Sequence, residues 1–232
     1  MRKVGILGGM GPEATVLLMQ KIIECTKAQD DQDHIPLLVD NNTQVPSRIN
    51  YLFNGVGKNP EFEILSMAKN LEKAGASALA MSCNTAHFYA KKINNSVNIP
   101  FIDMLDKSSS HLLKVLGSAS RVGILASPNL QKLRIIDPYF KLLGLEPIFP
   151  DNGNELLEVI INIKKGYSGN SINSKLENLC IDLENRKVDC ILIACSELSI
   201  VYPFIAAFSS LIVLDTLDIL ANEIVIFSKK KL

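Results

Sequence analysis

An internal repeat restricts the fold of this chain more than any local propensity does. Val4-Gly5-Ile6-Leu7 recurs as Val122-Gly123-Ile124-Leu125. The apolar segment Ala78–Ser82 runs into Cys83, and its counterpart Cys190–Ala194 runs into Cys195. Asp103 lies 20 residues beyond the first of these cysteines and Asp215 lies 20 beyond the second. Each aspartate follows an apolar segment, Ile99–Ile102 or Leu211–Leu214. Copies with chemistry-bearing residues at matching places predict two lobes of one topology.

Within the copies, short apolar runs alternate with longer segments of helical period. Lys3–Leu7 reads as a strand, followed by a glycine turn and a helix over Glu13–Ala28. Leu37–Asp40 reads as a second strand opening into the polar loop Asn41–Arg48. Phe62–Ala74 reads as a helix closed by Gly75, and Ser77–Ser82 as the next strand. This βαβα rhythm predicts an α/β fold of mostly parallel sheets flanked by helices. The expected architecture is two similar, pseudo-symmetric lobes. An N-terminal α/β lobe spans residues 1–104, with the segment 213–232 packing back on it, and a C-terminal α/β lobe spans 105–212. Ligands of open α/β sheets bind beyond the carboxyl ends of the strands. Facing lobes would bring Cys83 and Cys195 to one cleft, so the active site is expected between them.

Charge and cysteine usage narrow the functional class. Lys plus Arg number 24 and Asp plus Glu number 24, so no net field attracts nucleic acid or an anionic membrane. The most apolar stretch, Leu211–Phe227, contains Asp215, Asp218 and Glu223, which would be costly in hydrocarbon, so no membrane span is expected. Met1-Arg2-Lys3-Val4 leads straight into the first strand, which leaves no room for a signal peptide and makes a cytoplasmic location the expectation. Ser228–Leu232 reads as a solvated basic tail. The five cysteines show no disulfide or zinc spacing and are expected as thiols. Cys25, Cys180 and Cys190 read as small buried packing residues, since a free cysteine packs like a hydrophobe. Cys83 and Cys195 differ, because Asn84-Thr85 and Ser196-Glu197 turn the chain polar immediately after them.

Two thiols at one cleft suit proton transfer at a carbon next to a carboxylate. A racemase must take the α-proton from one face and return a proton to the other. One thiolate and one thiol on opposite faces do this in either direction by exchanging roles. A free thiol pKa of ~8.5 leaves both forms within reach near neutrality. Backbone N–H groups after each strand can hold the substrate carboxylate and the charge that develops on it. No lysine has a context that marks a Schiff base and no cluster has metal-ligand spacing, so neither a cofactor nor a metal is expected.

Leu7-Gly8-Gly9-Met10-Gly11-Pro12-Glu13-Ala14-Thr15, Cys83-Asn84-Thr85-Ala86-His87 and Ala194-Cys195-Ser196-Glu197-Leu198 together resemble the aspartate/glutamate racemase family. The resemblance holds in order and spacing over nearly the whole chain. It implies a two-lobed α/β enzyme, commonly a homodimer, that racemises an acidic amino acid with two cysteines and uses neither pyridoxal phosphate nor metal. The sequence is more similar to aspartate racemases than to glutamate racemases. The latter usually carry an aspartate-serine pair in the first glycine loop and a histidine two positions after the second cysteine, where this chain has Gly8-Gly9 and Glu197.

Asn41-Asn42-Thr43-Gln44-Val45-Pro46-Ser47-Arg48 and Ile163-Lys164-Lys165-Gly166 extend the resemblance. In aspartate racemases the corresponding arginine and lysine are assigned to the substrate's side-chain carboxylate. The resemblance thus implies that Arg48 offers a planar fork and Lys164 a point charge. Met10, Gly11, Asn84, Thr85 and Ser196 are candidate substrate contacts through backbone or short side chains. Ser127 offers a hydroxyl to the α-carboxylate, and Glu197 is a candidate partner for the second thiol's proton. Glu13 reads as serving the helix dipole. His87 reads either as tuning Cys83 or as a helix-surface residue. Two places depart from the family pattern. Ser47 stands where aspartate is common, and Ala126-Ser127-Pro128-Asn129-Leu130 lacks the usual threonine-rich, glycine-containing loop.

Other readings stay open. A broad-specificity or glutamate racemase of the same family fits the same motifs. Hydantoin racemases, maleate isomerases and arylmalonate decarboxylases share the architecture, although two cysteines speak against the single-cysteine decarboxylases and Arg48 with Lys164 favours a dicarboxylate over a hydantoin. Gly9-Met10-Gly11-Pro12-Glu13-Ala14 also fits a dinucleotide-binding fingerprint. Against it, Pro12 removes an N–H that a pyrophosphate would use, and Asp40 comes too late to hold a ribose. A thiol redox sensor would need a C-x-x-C pair, which the sequence lacks.

Overall fold

The computed structural model describes residues 1–167 and 169–230, so residues 231 and 232 of the basic tail lie outside the described residues. The chain divides into two compact units, Met1–Lys107 together with Leu217 onward, and Ser108–Thr216.

The first unit begins with β1 (Val4–Gly8) and α1 (Pro12–Cys25), then β2 (Leu37–Asn41), α2 (Arg48–Leu52) and α3 (Glu61–Lys73). β3 (Ala78–Met81), a 3-10 turn over Thr85–Tyr89, α4 (Ala90–Ser96) and β4 (Phe101–Ile102) follow, and α5 (Met104–Leu116) begins in this unit and runs on into the second. The four strands pair in parallel in the order β2-β1-β3-β4. Every residue of β1 and β3 is buried, as expected for central parallel strands covered on both faces. Val4 and Ile6 pack with Leu18 and Ile22 of α1 on one face, while Leu7 packs with Ile64 and Met67 of α3 on the other. These partners alternate because successive strand side chains point to opposite faces.

The second unit contains β5 (Arg121–Leu125), α6 (Pro128–Lys132), α7 (Asp137–Leu143), β6 (Glu146–Ile148), α8 (Gly153–Lys164) and α9 (Asn170–Asn185). It continues with β7 (Cys190–Ile193), α10 (Ser196–Ser199), α11 (Tyr202–Phe208) and β8 (Ile212–Asp215). Its strands are again parallel, in the order β6-β5-β7-β8. β5 and β7 thus take the sheet positions that β1 and β3 take in the first unit, and the sequence repeat is a repeat of topology. Leu156, Val159 and Ile163 of α8 and Leu176, Leu179 and Leu183 of α9 cover Ile191 and Ile193. The last helix, α12 (Thr216–Lys229), belongs with the first unit, where Leu217, Leu220, Ala221 and Ile224 pack against the face that carries Val4 and Ile6. Among the described residues no helix is long and apolar enough to cross a membrane.

The element ends refine the expected boundaries. α1 opens with Pro12 at its start and Glu13 in its first turn, both suited to a helix N-terminus. It stops at Cys25, short of the expected Ala28, because the Thr26 hydroxyl donates to the Ile22 carbonyl at 2.7 Å and Thr26 itself turns extended. Arg48 is the first residue of a short helix, not the last of a loop. Ser47 caps that helix by accepting the Asn50 N–H at 3.2 Å, which is the work an aspartate would do there.

Candidate active site

Each of the two cysteines stands two residues beyond the third strand of its chain order, Cys83 past β3 and Cys195 past β7. Both are only 6% exposed, so burial alone does not separate them from Cys180 at 1% and Cys190 at 0%. Cys25 is half-buried at the end of α1 rather than packed away. What marks Cys83 and Cys195 is the chemistry around each.

In the first unit the glycine loop after β1 is clamped by a residue whose role the motif alone does not reveal. Thr15, 1% exposed, accepts the Gly9 N–H at 3.0 Å and donates to the Gly11 carbonyl at 3.2 Å. Its hydroxyl also lies 3.4 Å from that of Ser82, the residue before Cys83. Gly9 has φ +82°, and a Cβ there would lie 2.3 Å from the Asn42 backbone, so only glycine lets the loop after β1 touch the segment after β2. The Gly9 N–H is therefore already used, and the Gly11 carbonyl accepts from Thr15. The Met10 side chain is core, 2% exposed, and its carbonyl accepts from Arg48 Nη2 at 3.1 Å. Arg48 Nη1 donates to the Val45 and Pro46 carbonyls at 3.3 and 3.2 Å. Three backbone oxygens thus hold the guanidinium in place, while its buried Nε has no partner among the described residues. A cation fixed in this way with an unused donor is prepared to meet an anionic ligand.

After Cys83 the chain enters the 3-10 turn, with Asn84 buried at 3% exposure and Thr85 partly buried. His87 is not a surface residue: it is 3% exposed, with Nδ1 2.8 Å from the Cys83 carbonyl oxygen and Nε2 accepting the Met104 N–H at 3.1 Å.

The second unit brings Cys195, Ser196, Glu197 and Lys164 together. The Cys195 thiol donates to Glu197 Oε2 at 3.2 Å, and the Ser196 hydroxyl lies 3.4 Å from the same oxygen. Lys164 Nζ at the end of α8 stands 3.9 Å from Glu197 Oε1. Burial pushes the Cys195 thiol well above the usual thiol range, and the adjacent Glu197 carboxylate pushes it further, outweighing the Glu197 and Leu198 backbone N–H groups that pull it down. Cys195 is accordingly a protonated thiol at neutral pH. Ser127 sits at the start of α6 with its hydroxyl buried, making no cap bond and having no partner among the described residues. The atypical 126–130 loop therefore still presents an unused hydroxyl. Ser199, four residues after Cys195, lies 2.7 Å from Asp215 Oδ1 and 3.5 Å from the Cys195 carbonyl oxygen. The two aspartates of the repeat diverge, since Asp215 is buried while Asp103 uses Oδ1 to cap the Leu105 and Asp106 N–H groups at the start of α5. Among the described residues no group of His, Cys, Asp and Glu has the arrangement to hold a metal ion.

A sequence model of the Asp/Glu/hydantoin racemase family matches residues 7–224. The chain belongs to that family. As a member it is an amino-acid racemase, an isomerase. The broad-specificity amino-acid racemase RacX of Bacillus subtilis (strain 168) is 25% identical over 227 residues, 96% of each chain. The structure of the Picrophilus torridus aspartate racemase matches with a TM-score of 0.85 at 28% identity, over 100% of this chain and 96% of that one. An aspartate racemase homologue from Pyrococcus horikoshii OT3 matches with a TM-score of 0.79 at 22% identity, over 99% of this chain and 100% of its own, a likeness of fold. The family accounts for the parallel four-stranded sheet that recurs in each unit of this racemase.

Proposed function

We propose that this racemase interconverts the enantiomers of aspartate without a cofactor, with Cys83 and Cys195 as its two proton-transfer groups. The observation that carries the reading is the equivalence of the two cysteines: each follows the same strand of the same sheet order in its own unit. In one direction Cys83 acts as the base. The α-carbon–hydrogen bond breaks and its proton goes to the Cys83 sulfur. The electron pair left on carbon delocalises into the α-carboxylate, whose growing charge meets the Ser127 hydroxyl and backbone N–H groups. The Cys195 S–H bond then breaks and its proton is delivered to the opposite face. In the reverse direction the roles exchange. Glu197, hydrogen-bonded to the Cys195 thiol, stabilises the proton there between turnovers. Arg48 and Lys164 supply positive charge for the second carboxylate of the substrate, with Met10, Gly11, Asn84, Thr85 and Ser196 lining its path.

One observation favours a second reading, a broader substrate range. Lys164 stands near Glu197, which draws part of its charge away from a substrate carboxylate. The likeness to a broad-specificity racemase points the same way.

Single enantiomers incubated in deuterated water and separated by chiral chromatography test the proposal. Aspartate should racemise with uptake of solvent deuterium at the α-carbon, and should do so after exhaustive chelation and in the presence of hydroxylamine. Cys83→Ala and Cys195→Ala should each lose about 10²–10⁴-fold in both directions, the range for removing one acid–base group. The double variant should be little worse than either single one. Near-normal racemisation by Cys195→Ala defeats the two-thiol mechanism. Equal turnover of alanine or methionine replaces aspartate selectivity by the broader reading.

A further inference from the structure

We propose that His87 is a positioning residue for Cys83, tying the strand end that carries the thiol to the first turn of α5 through a neutral imidazole. The inference rests on the reading of Cys83 as a proton-transfer residue and adds to it a group that never touches the reacting carbon.

The bonding partners fix the state of the ring. The Cys83 carbonyl can only accept, so Nδ1, 2.8 Å away, carries the hydrogen. The Met104 backbone N–H can only donate, so Nε2, 3.1 Å away, is bare. One buried ring therefore joins two backbone positions, the end of β3 and the start of α5, that come from separate parts of the chain. Phe101 packs at 5.6 Å between ring centroids and adds no charge. Among the described residues, the ring meets the Cys83 carbonyl at the end of β3 and the Asp103 carboxylate, whose Oδ1 lies 3.8 Å from Nε2.

The second unit builds a similar brace with a serine hydroxyl in place of the imidazole. Ser199 stands four residues after Cys195, as His87 does after Cys83, and its hydroxyl lies near both the Cys195 carbonyl and Asp215. The Cys83 half thus carries an imidazole support, whereas the Cys195 half carries a hydroxyl backed by the Asp215 carboxylate. Protonating His87 would place a second donor against the Met104 N–H and break the bridge. Burial holds its pKa below the ordinary 6.5, partly opposed by the Asp103 carboxylate. The bridge is therefore intact above pH 6.5 and is lost as the pH falls through the lowered value.

The test must single out Cys83. Free enantiomers have equal energy, so kcat/KM is the same in both directions for any variant, and asymmetry appears instead in primary isotope effects. Substrates deuterated at the α-carbon should show unequal effects in His87→Phe, larger for the enantiomer whose proton Cys83 removes. The enantiomer identified independently with Cys83→Ser should be the same one. The kcat of His87→Phe should fall by about 10- to 100-fold, the scale of a small misplacement of a reacting group, with KM changing far less. His87→Asn, which keeps a donor to the Cys83 carbonyl, should restore most of the rate. In the wild type the same asymmetry should emerge as the pH falls through the lowered His87 value, and in His87→Asn it should not. Nitrogen-15 NMR of the wild-type ring should report the Nδ1–H tautomer at neutral pH, a readout that does not depend on any variant folding. Equal isotope effects for both enantiomers in a folded His87 variant, or the Nε2–H tautomer, overturns the inference. Should Cys83→Ser itself leave the isotope effects equal, the reading of Cys83 fails instead, and the two failures are distinct.

Discussion

Cys190 and Cys195 stand in the same stretch of chain and both have thiols pushed up by burial, Cys190 to about 12 and Cys195 well above the usual range. Their difference lies in the partner. Cys190 is buried within β7, whereas Cys195 donates to a carboxylate 3.2 Å away. Glu197→Gln should remove the negative charge that raises the Cys195 thiol. Cys195 should then ionise at lower pH and react faster with iodoacetamide at pH 8, with alkylation of Cys190 unchanged, as peptide mass spectrometry can measure. Because a raised thiol pKa keeps the proton on sulfur as the pH rises, the alkaline loss of the Cys195 thiol should begin earlier in that variant than in the wild type. An unchanged Cys195 rate would show that the Glu197 carboxylate does not govern the proton. Glu197 was legible from its place two residues after the cysteine. Thr15 was not, because a threonine inside a helix looks like any other until its hydroxyl is seen to accept the Gly9 N–H.

At the scale of elements, the turn after β1 shows why glycine is required there. Gly9→Ala faces both a left-handed backbone and a collision with the Asn42 backbone at 2.3 Å. The conformation costs ~1–2 kcal/mol and the forced displacement roughly 1–3 more, so a loss of about 2–5 kcal/mol is expected. Gly144→Ala is the control, since it shares a positive φ of +69° but meets nothing closer than 3.9 Å. It should lose only ~1–2 kcal/mol. Urea denaturation at constant m-value measures both, and equal losses would count against the close approach of the two loops. The expected strands and longer helices were readable from apolar runs and periodicity. The short α2 was not, because five residues carry too little periodicity, and its start depends on a single Ser47 cap.

At the scale of the molecule, the last helix stabilises the first unit, though almost the entire second unit intervenes in the sequence. Leu220 is 0% exposed among Val4, Ile6 and Leu18. Leu220→Ala should cost about 2–5 kcal/mol, the range for a leucine truncated in a packed core. Calorimetry should show a lowered transition for the first unit, and a change below 1 kcal/mol would contradict the packing described here. The sequence by itself determined the repeat, the α/β class and the two strand-end cysteines, because these are written in local periodicity and in residue types at matching places. Tertiary structure alone decided how the surrounding groups are used. Arg48 finds the Met10 carbonyl 38 residues away, Thr15 meets Ser82 across 67 residues, and Met104 reaches His87 across 17. These partners meet because the sheet order β2-β1-β3-β4 sets the carboxyl ends of all four strands side by side. Strand order is set by long-range packing, and no local pattern along the chain encodes which loop ends will touch.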